Sequence, residues 1–188
     1  MPTLPGYEAT QVVQKAKLSC IAAGVEWAIR YLGFDWLGLT EDQINGFQAA
    51  FDQPNNSFLQ IKDAVRAQFP QLIFEQDVPP NGQAKIDALR DLIGQRRPVL
   101  LSLVNPPGWK VHLLPGQHAR VEIVGSAHIM PVVAVDEPAG TLRAWEPQNR
   151  LFLEFPTAWV VEWHGYKNHG TELLRWAGEL PPAAGQNA

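Results

Sequence analysis

The chain has 188 residues, enough for one domain with a sizeable hydrophobic core but with little room for a second. Its formal net charge of −4, without a basic block, argues against a nucleic-acid-binding surface. A single cysteine cannot form an intrachain disulfide, so a reducing compartment is expected. No signal-peptide pattern and no run of about 18 apolar residues is present, so we expect no membrane span. These features predict a cytoplasmic protein, or an effector exported without a visible signal peptide.

The clearest helical pattern begins at the only cysteine, Cys20. Apolar residues recur from Val25 at spacings of three and four, and Gly33 is typical of a helix end, so we predict a helix over 20–32. Ser19 is the predicted N-cap, which places Cys20 in the first turn. Unpaired N–H groups and the positive end of the helix dipole stabilise a thiolate there and lower the pKa of the thiol.

Helices dominate the first half of the chain and strands the second half. Three further helices are predicted, through Ile44, Phe47 and Phe51, over 58–69 and over 85–95, with a short strand at 73–74. Beyond Pro98 the predicted strands are 99–104, 110–114, 119–124, 128–135, 141–145, 151–155 and 159–163. This order indicates an α+β fold with an antiparallel sheet. We expect one domain over 1–170 and a C-terminal tail over 171–188, the end of which is disordered.

His128 has the most informative context of the five histidines. It opens an apolar strand after small residues, where its side chain can face a cleft. The turn near Gly140 should bring residues 145–149 back towards it, so Glu146 is the predicted partner that orients the imidazole. Asn149 is the alternative, because an amide can hold an imidazole equally well.

Gln14 lies six residues before Cys20 and offers a neutral amide donor beside the sulfur. Cys20 would be a nucleophile, and the Gln14 amide would be one of the two donors of an oxyanion hole. Gln11, one helical turn away, is the alternative donor. A lone cysteine is most often a buried hydrophobic residue, and a histidine at a strand start is most often structural. The combination of Gln14, Cys20 and His128 favours a nucleophile and a base.

A metal centre is not expected from the distribution of histidines. The first three lie on separate predicted strands, and the last two have no cysteine or carboxylate at ligand spacing. In chain order they are His112, His118, His128, His164 and His169. We therefore predict no metal and no cofactor.

Together these residues resemble the papain-like cysteine peptidases, and more narrowly the bacterial bacteriocin-processing branch that acts on double-glycine leaders, with related bacterial effector proteases. The resemblance rests on the glutamine, the cysteine six residues later at a helix start, the histidine-led apolar strand and an acid–proline pair, and it covers roughly residues 10–165. It implies a papain-like fold with the nucleophile helix packed on the C-terminal sheet. It also implies the roles of the four site residues: Gln14 as oxyanion donor, Cys20 as nucleophile, His128 as base and Glu146 as orienting acid.

Two residues depart from the family pattern. Ile21 follows the cysteine where the family more often has a small residue, and Glu146 stands where the family usually has aspartate. The leading hypothesis is a thiol hydrolase that cleaves a peptide or isopeptide bond in a peptide or protein substrate. Acyl transfer or glutamine deamidation at the same site, and a catalytically silent domain that binds a peptide, remain alternatives. The sequence does not indicate an oligomeric state.

Overall fold

The computed structural model describes residues 1–16, 19–52, 57–104, 112–113, 127–165 and 170–182. The helices in these ranges, after a 3-10 helix at Tyr7–Ala9, are α1 (Cys20–Leu32), α2 (Glu41–Asn45), α3 (Phe47–Phe51), α4 (Phe58–Gln68), α5 (Gly82–Gly94) and α6 (Thr157–Glu162). The strands are β1 (Phe74–Asp77), β2 (Val99–Val104), β3 (His112–Leu113), β4 (Ala127–Asp136), β5 (Thr141–Glu146), β6 (Leu151–Pro156) and β7 (Leu173–Trp176). The predicted strand at 119–124 and the predicted disordered end at 183–188 lie outside the described residues.

The strands form one antiparallel sheet in the order β1-β7-β2-β4-β5-β6-β3. Strand β4 lies in the middle of this order and pairs with β2 on one side and β5 on the other. Five of the six helices precede β4 in the described chain, so helical and sheet regions are largely separate in sequence. The predicted α+β class is confirmed.

Helix α1 has the bounds that its periodicity predicts, Cys20–Leu32. Most of its residues are buried, and it packs mainly on β4 with further contacts to β2. Gly24 allows this close approach, because a Cβ atom there would lie 3.1 Å from the side chain of Leu100. The packing brings the N-terminus of α1 to the strand that carries His128.

The predicted helix through Ile44 and Phe51 is two short helices, α2 and α3. Gly46 separates them, and its N–H donates to the carbonyl of Asp42 at 2.9 Å. Thr40 and Gln43 form a capping box that starts α2. The periodicity identified the buried face correctly but did not show the break. The break lies at Gly46 because glycine is a weak helix former in a helix interior.

The predicted strand at 159–163 is wrong, since this segment lies in helix α6 (Thr157–Glu162). Its β-branched and aromatic residues favour a strand, but α6 packs against the start of α5. The contact is so close that a Cβ atom on Gly82 would lie 2.4 Å from the Cα of Val161. This tertiary contact overrides the local preference.

The predicted boundary of a C-terminal tail at residue 170 is too early. Leu173–Trp176 form β7, which lies between β1 and β2 in the sheet. Leu173, Leu174 and Trp176 are buried. This part of the chain belongs to the domain.

Candidate active site

Cys20 is the first residue of α1 and its side chain is half-buried. The backbone N–H groups of Ile21 and Ile129 donate towards its sulfur, one from the helix and one from β4. The thiol is also hydrogen-bonded to the His128 ring. Ser19 occupies the N-cap position as predicted, but its side chain does not cap the helix. Its hydroxyl instead donates to the carbonyl of Ala16 at 2.9 Å and accepts from the N–H of the same residue at 3.1 Å.

His128 is the second residue of β4, and only 2% of its surface is exposed. Its Nε2 lies 2.6 Å from Oε1 of Glu146. Because Nε2 meets the carboxylate, Nδ1 is the ring nitrogen that is left for the thiol of Cys20. The imidazole therefore lies between the two groups that the sequence predicts on either side of it.

Glu146 owes its position to the hairpin that joins β5 to β6. It ends β5 and pairs with Leu151, so four residues form the loop. Arg150 adopts a left-handed conformation with φ of 60°, and its N–H donates to the carbonyl of Glu146 at 2.9 Å. The loop thereby folds back over the end of the strand, a common geometry for four-residue hairpins.

The folded loop surrounds the Glu146 carboxylate with donors. Oε1 accepts from the N–H of Gln148 at 3.1 Å, and Oε2 accepts from the N–H and Nδ2 of Asn149 at 2.6 and 2.5 Å. The carboxylate is fully buried. Asn149, the alternative partner of the imidazole, therefore binds the carboxylate that contacts the ring.

These contacts set the ionisation of the three groups. Burial opposes the thiolate of Cys20, but the hydrogen bond and positive charge of His128 outweigh it, so the pKa of the thiol lies below its ordinary value. Burial likewise opposes the imidazolium, and the bonds to Cys20 and Glu146 nevertheless raise the pKa of His128 to about 9. For Glu146, burial is outweighed by His128 and Asn149, so the pKa of the carboxyl is lowered. The arrangement favours a thiolate–imidazolium pair at neutral pH.

Gln14 lies against the same hairpin loop. Its backbone N–H donates to the carbonyl of Pro147 at 2.9 Å, and its side-chain Nε2 donates to the carbonyl of Ala16 at 2.8 Å. Residues 17–18, which connect it to Cys20, lie outside the described ranges. The alternative donor, Gln11, donates its amide to the carbonyl of Glu8 and lines a cavity of about 500 Å³ beside Arg30. The structure thus places Gln14 next to the loop that follows Glu146.

In the part of the chain that the structure describes, no three His, Cys, Asp or Glu side chains are gathered as a metal ion would require. Two of the five histidines, His118 and His169, lie outside that part. None of the described helices has the length and apolar character needed to cross a membrane.

Several contributors to the site were not identified from the sequence. They are the backbone N–H groups of Ile129 and Gln148 and, next to the segment that carries Gln14, two buried polar side chains, Glu26 and Gln48. A hairpin loop after an acid–proline pair is a signal that backbone donors could fold back onto the acid. Gln48 has no such signal, because its side chain bonds to Glu26, Lys15 and Val13, which lie 22 to 35 residues away in sequence.

Models of known protein families and curated proteins were compared with the chain, and neither comparison finds a match.

Proposed function

We propose that this chain is a papain-like thiol hydrolase that cleaves a peptide or isopeptide bond. The observation that carries the proposal is the continuous contact from Cys20 through His128 to Glu146, with Nε2 of the ring 2.6 Å from a buried carboxylate. A nucleophile, a base and a group that orients the base are the parts that covalent thiol catalysis requires.

In the proposed reaction, the Cys20 thiolate attacks the substrate carbonyl carbon and forms a carbon–sulfur bond. The electron pair of the carbonyl moves onto its oxygen. The N–H of Cys20 lies at the N-terminus of α1, where helical N–H groups have no partner within the helix, and would donate to that oxyanion. The Gln14 amide is the second proposed donor and would turn from Ala16 to the substrate oxygen, or donate to both.

Collapse of this intermediate breaks the carbon–nitrogen bond, and His128 gives its Nδ1 proton to the leaving amine. The neutral imidazole then takes a proton from water, which attacks the thioester. The carbon–sulfur bond then breaks, the acid product leaves and the thiolate–imidazolium pair is restored. Glu146 keeps the ring oriented and stabilises its charged form throughout.

The ion pair favours an enzyme over a silent peptide-binding domain. Burying an imidazolium and a carboxylate costs free energy that a binding groove need not spend. Acyl transfer and glutamine deamidation proceed through the same thioester on Cys20 and stay as alternatives. The shape of the cleft determines whether water or an amine accepts the acyl group, and whether a backbone amide or a glutamine side chain is attacked.

Alkylation by iodoacetamide tests the thiolate. Because Cys20 is the only cysteine, every modified chain reports on this site. At pH 6 the folded protein should react at least about tenfold faster than the same chain in urea, where the thiol has its ordinary pKa. His128→Ala should remove the difference. Equal rates for folded and unfolded protein would contradict the proposal.

The reaction type is tested by mass spectrometry of peptide libraries, including peptides with Gly-Gly bonds, incubated with wild type and Cys20→Ala. New termini that require Cys20 support hydrolysis. Amine adducts indicate acyl transfer, and conversion of glutamine to glutamate indicates deamidation. Peptides that bind Cys20→Ala, with no product from wild type, would establish the binding domain instead.

A further inference from the structure

Gln48 on α3 holds both neighbours of Gln14 by its side-chain amide. Its Nε2 donates to the carbonyl of Val13 at 2.8 Å, and its Oε1 accepts from the N–H of Lys15 at 2.8 Å. An adjacent strand would offer the same donor and acceptor to an extended segment. With 1% of its surface exposed, Gln48 makes these bonds away from water.

The backbone of Gln14 itself faces the opposite way. Its N–H donates to the carbonyl of Pro147, in the loop that supplies the donors to Glu146. Segment 13–15 is therefore held from two sides, by Gln48 and by the loop next to the candidate site. A shift of Gln48 would move Gln14 relative to that loop.

Glu26 determines which way the Gln48 amide points. Its Oε2 accepts from Nε2 of Gln48 at 2.7 Å, and its Oε1 accepts from Nε of Arg30 at 2.7 Å. A carboxylate only accepts hydrogen bonds, so it requires the nitrogen of the amide on its side. With Nε2 set in this way, the nitrogen reaches Val13 and the oxygen reaches Lys15.

Glu26 lies on α1, six residues after Cys20, and is 2% exposed. The helix that carries the nucleophile thus also carries the group that orients Gln48. An apolar side chain in place of Gln48 would leave the carbonyl of Val13 and the N–H of Lys15 without these bonds. The polar pair therefore fixes the position of the segment that carries Gln14.

We propose that Glu26 and Gln48 are positioning residues that hold Gln14 where its amide can donate to the oxyanion. The inference rests on the proposed function, and it adds two residues that touch neither the substrate nor the Cys20–His128 pair.

The first test uses amide hydrogen exchange, which requires no turnover. Gln48→Met in the full chain should increase exchange of the Gln14 and Lys15 amides at least about tenfold, while α5 keeps its protection. Gln71→Met is the control for loss of an amide elsewhere, because the exposed Gln71 side chain donates to the backbone carbonyl of Leu37 at 3.3 Å in another part of the fold. Unchanged exchange at residues 14 and 15 in Gln48→Met would overturn the inference.

The second test compares turnover. Gln48→Met should lower kcat about 10- to 100-fold, as loss of an oxyanion donor does, with KM and alkylation at pH 6 close to wild type. The double variant Gln14→Ala/Gln48→Met should be no slower than Gln14→Ala alone. Losses that multiply, full activity in Gln48→Met, or a parallel loss of alkylation would each overturn the inference.

If Gln48→Met does not fold, Glu26→Gln replaces it, since it keeps the volume. It removes the requirement for nitrogen on its side and the charge that pairs with Arg30. It should give the same pattern with a smaller decrease in kcat, and an unchanged kcat would contradict the positioning role. If wild type is active and neither variant has an effect, the positioning role of Glu26 and Gln48 is refuted and the proposed function stands. If wild type has no turnover, whatever its exchange pattern, the proposed function is refuted, and the positioning role in catalysis with it.

Discussion

At the residue scale, the three groups of the candidate site depend on one another for their charge. His128 is almost fully buried, and burial alone would keep its ring neutral. The carboxylate of Glu146 and the sulfur of Cys20 make the charged ring the favoured form instead. The charged state of the ring therefore depends on both of its partners.

The pH dependence of turnover follows from these shifts. We expect kcat/KM to rise as Cys20 ionises, below the ordinary thiol pKa, and to fall as His128 loses its proton at about 9. Because the pKa of His128 is higher in the folded than in the unfolded chain, the protonated ring stabilises the fold at pH values below the ordinary histidine pKa. This contribution is lost as the pH rises through about 9. Alkylation needs only the thiolate and should stay fast above pH 9. A decline of turnover centred near pH 6.5 would contradict the assignment.

Substitution of Glu146 and of Asn149 in turn should show which of the two residues orients the imidazole of His128. Glu146→Gln keeps the shape but removes the charge, so it should lower the pKa of His128, move the alkaline limb of the profile down and reduce turnover at least about tenfold.

Asn149→Ala should reduce turnover much less. It loses the Nδ2 bond to Glu146 but keeps the backbone N–H donor at 2.6 Å. Kinetics of both variants at several pH values provide the measurement. Greater damage from Asn149→Ala would transfer the orienting role to Asn149.

At the scale of elements, the contact between α5 and α6 depends on a missing side chain. Gly82 begins α5 directly under α6, and atoms of the Val161 backbone occupy the space where a Cβ atom would lie. Backbone cannot move aside as a flexible side chain can. The glycine therefore determines how closely the two helices pack.

Gly82→Ala should lower the free energy of unfolding by about 1–3 kcal/mol, because the helices must separate to admit the methyl group. Gly94→Ala at the other end of α5 is the matched control, since a Cβ atom there meets nothing within 4 Å. The control should be neutral or more stable by up to about 1 kcal/mol. Denaturant unfolding of both variants gives the comparison, and similar effects at the two positions would refute the packing argument.

At the scale of the whole molecule, the end of the described chain completes the sheet. Strand β7 pairs with β1 and with β2, so it links the only described strand of the first half to the strands that carry the candidate site. Removing it would expose the facing edges of both neighbours, and Phe74 of β1 would lose its contact with the buried ring of Trp176.

Two truncations test this dependence. A chain that ends at residue 170 should lose cooperative thermal unfolding, because β7 and its buried side chains are absent. A chain that ends at residue 182 keeps β7 and should unfold within a few degrees of the full chain. Calorimetry distinguishes the two, and a cooperative transition in the shorter chain would show that β7 is dispensable.

The sequence alone determined the features that depend on near neighbours along the chain. Helical spacing from Val25 defined α1, and the apolar run at 99–104 defined β2. The turn near Gly140 brought Glu146 and Asn149 close to His128, because a hairpin returns the chain beside the strand it leaves, here with a bulge between Val132 and Ala134. These signals are local, so residue order carries them.

Tertiary structure decided what depends on distant partners. The segment predicted as a strand at 159–163 is helical because it packs against α5. Residues 173–176, predicted to lie in a C-terminal tail, form β7 because they pair with β2. The fold of the hairpin loop turned Asn149 onto Glu146 rather than leaving it as the partner of the ring. Gln48 meets Val13 and Lys15 only after α3 packs on α1. Such contacts join residues far apart in sequence, and no local pattern records which of the many possible pairs has the lowest free energy.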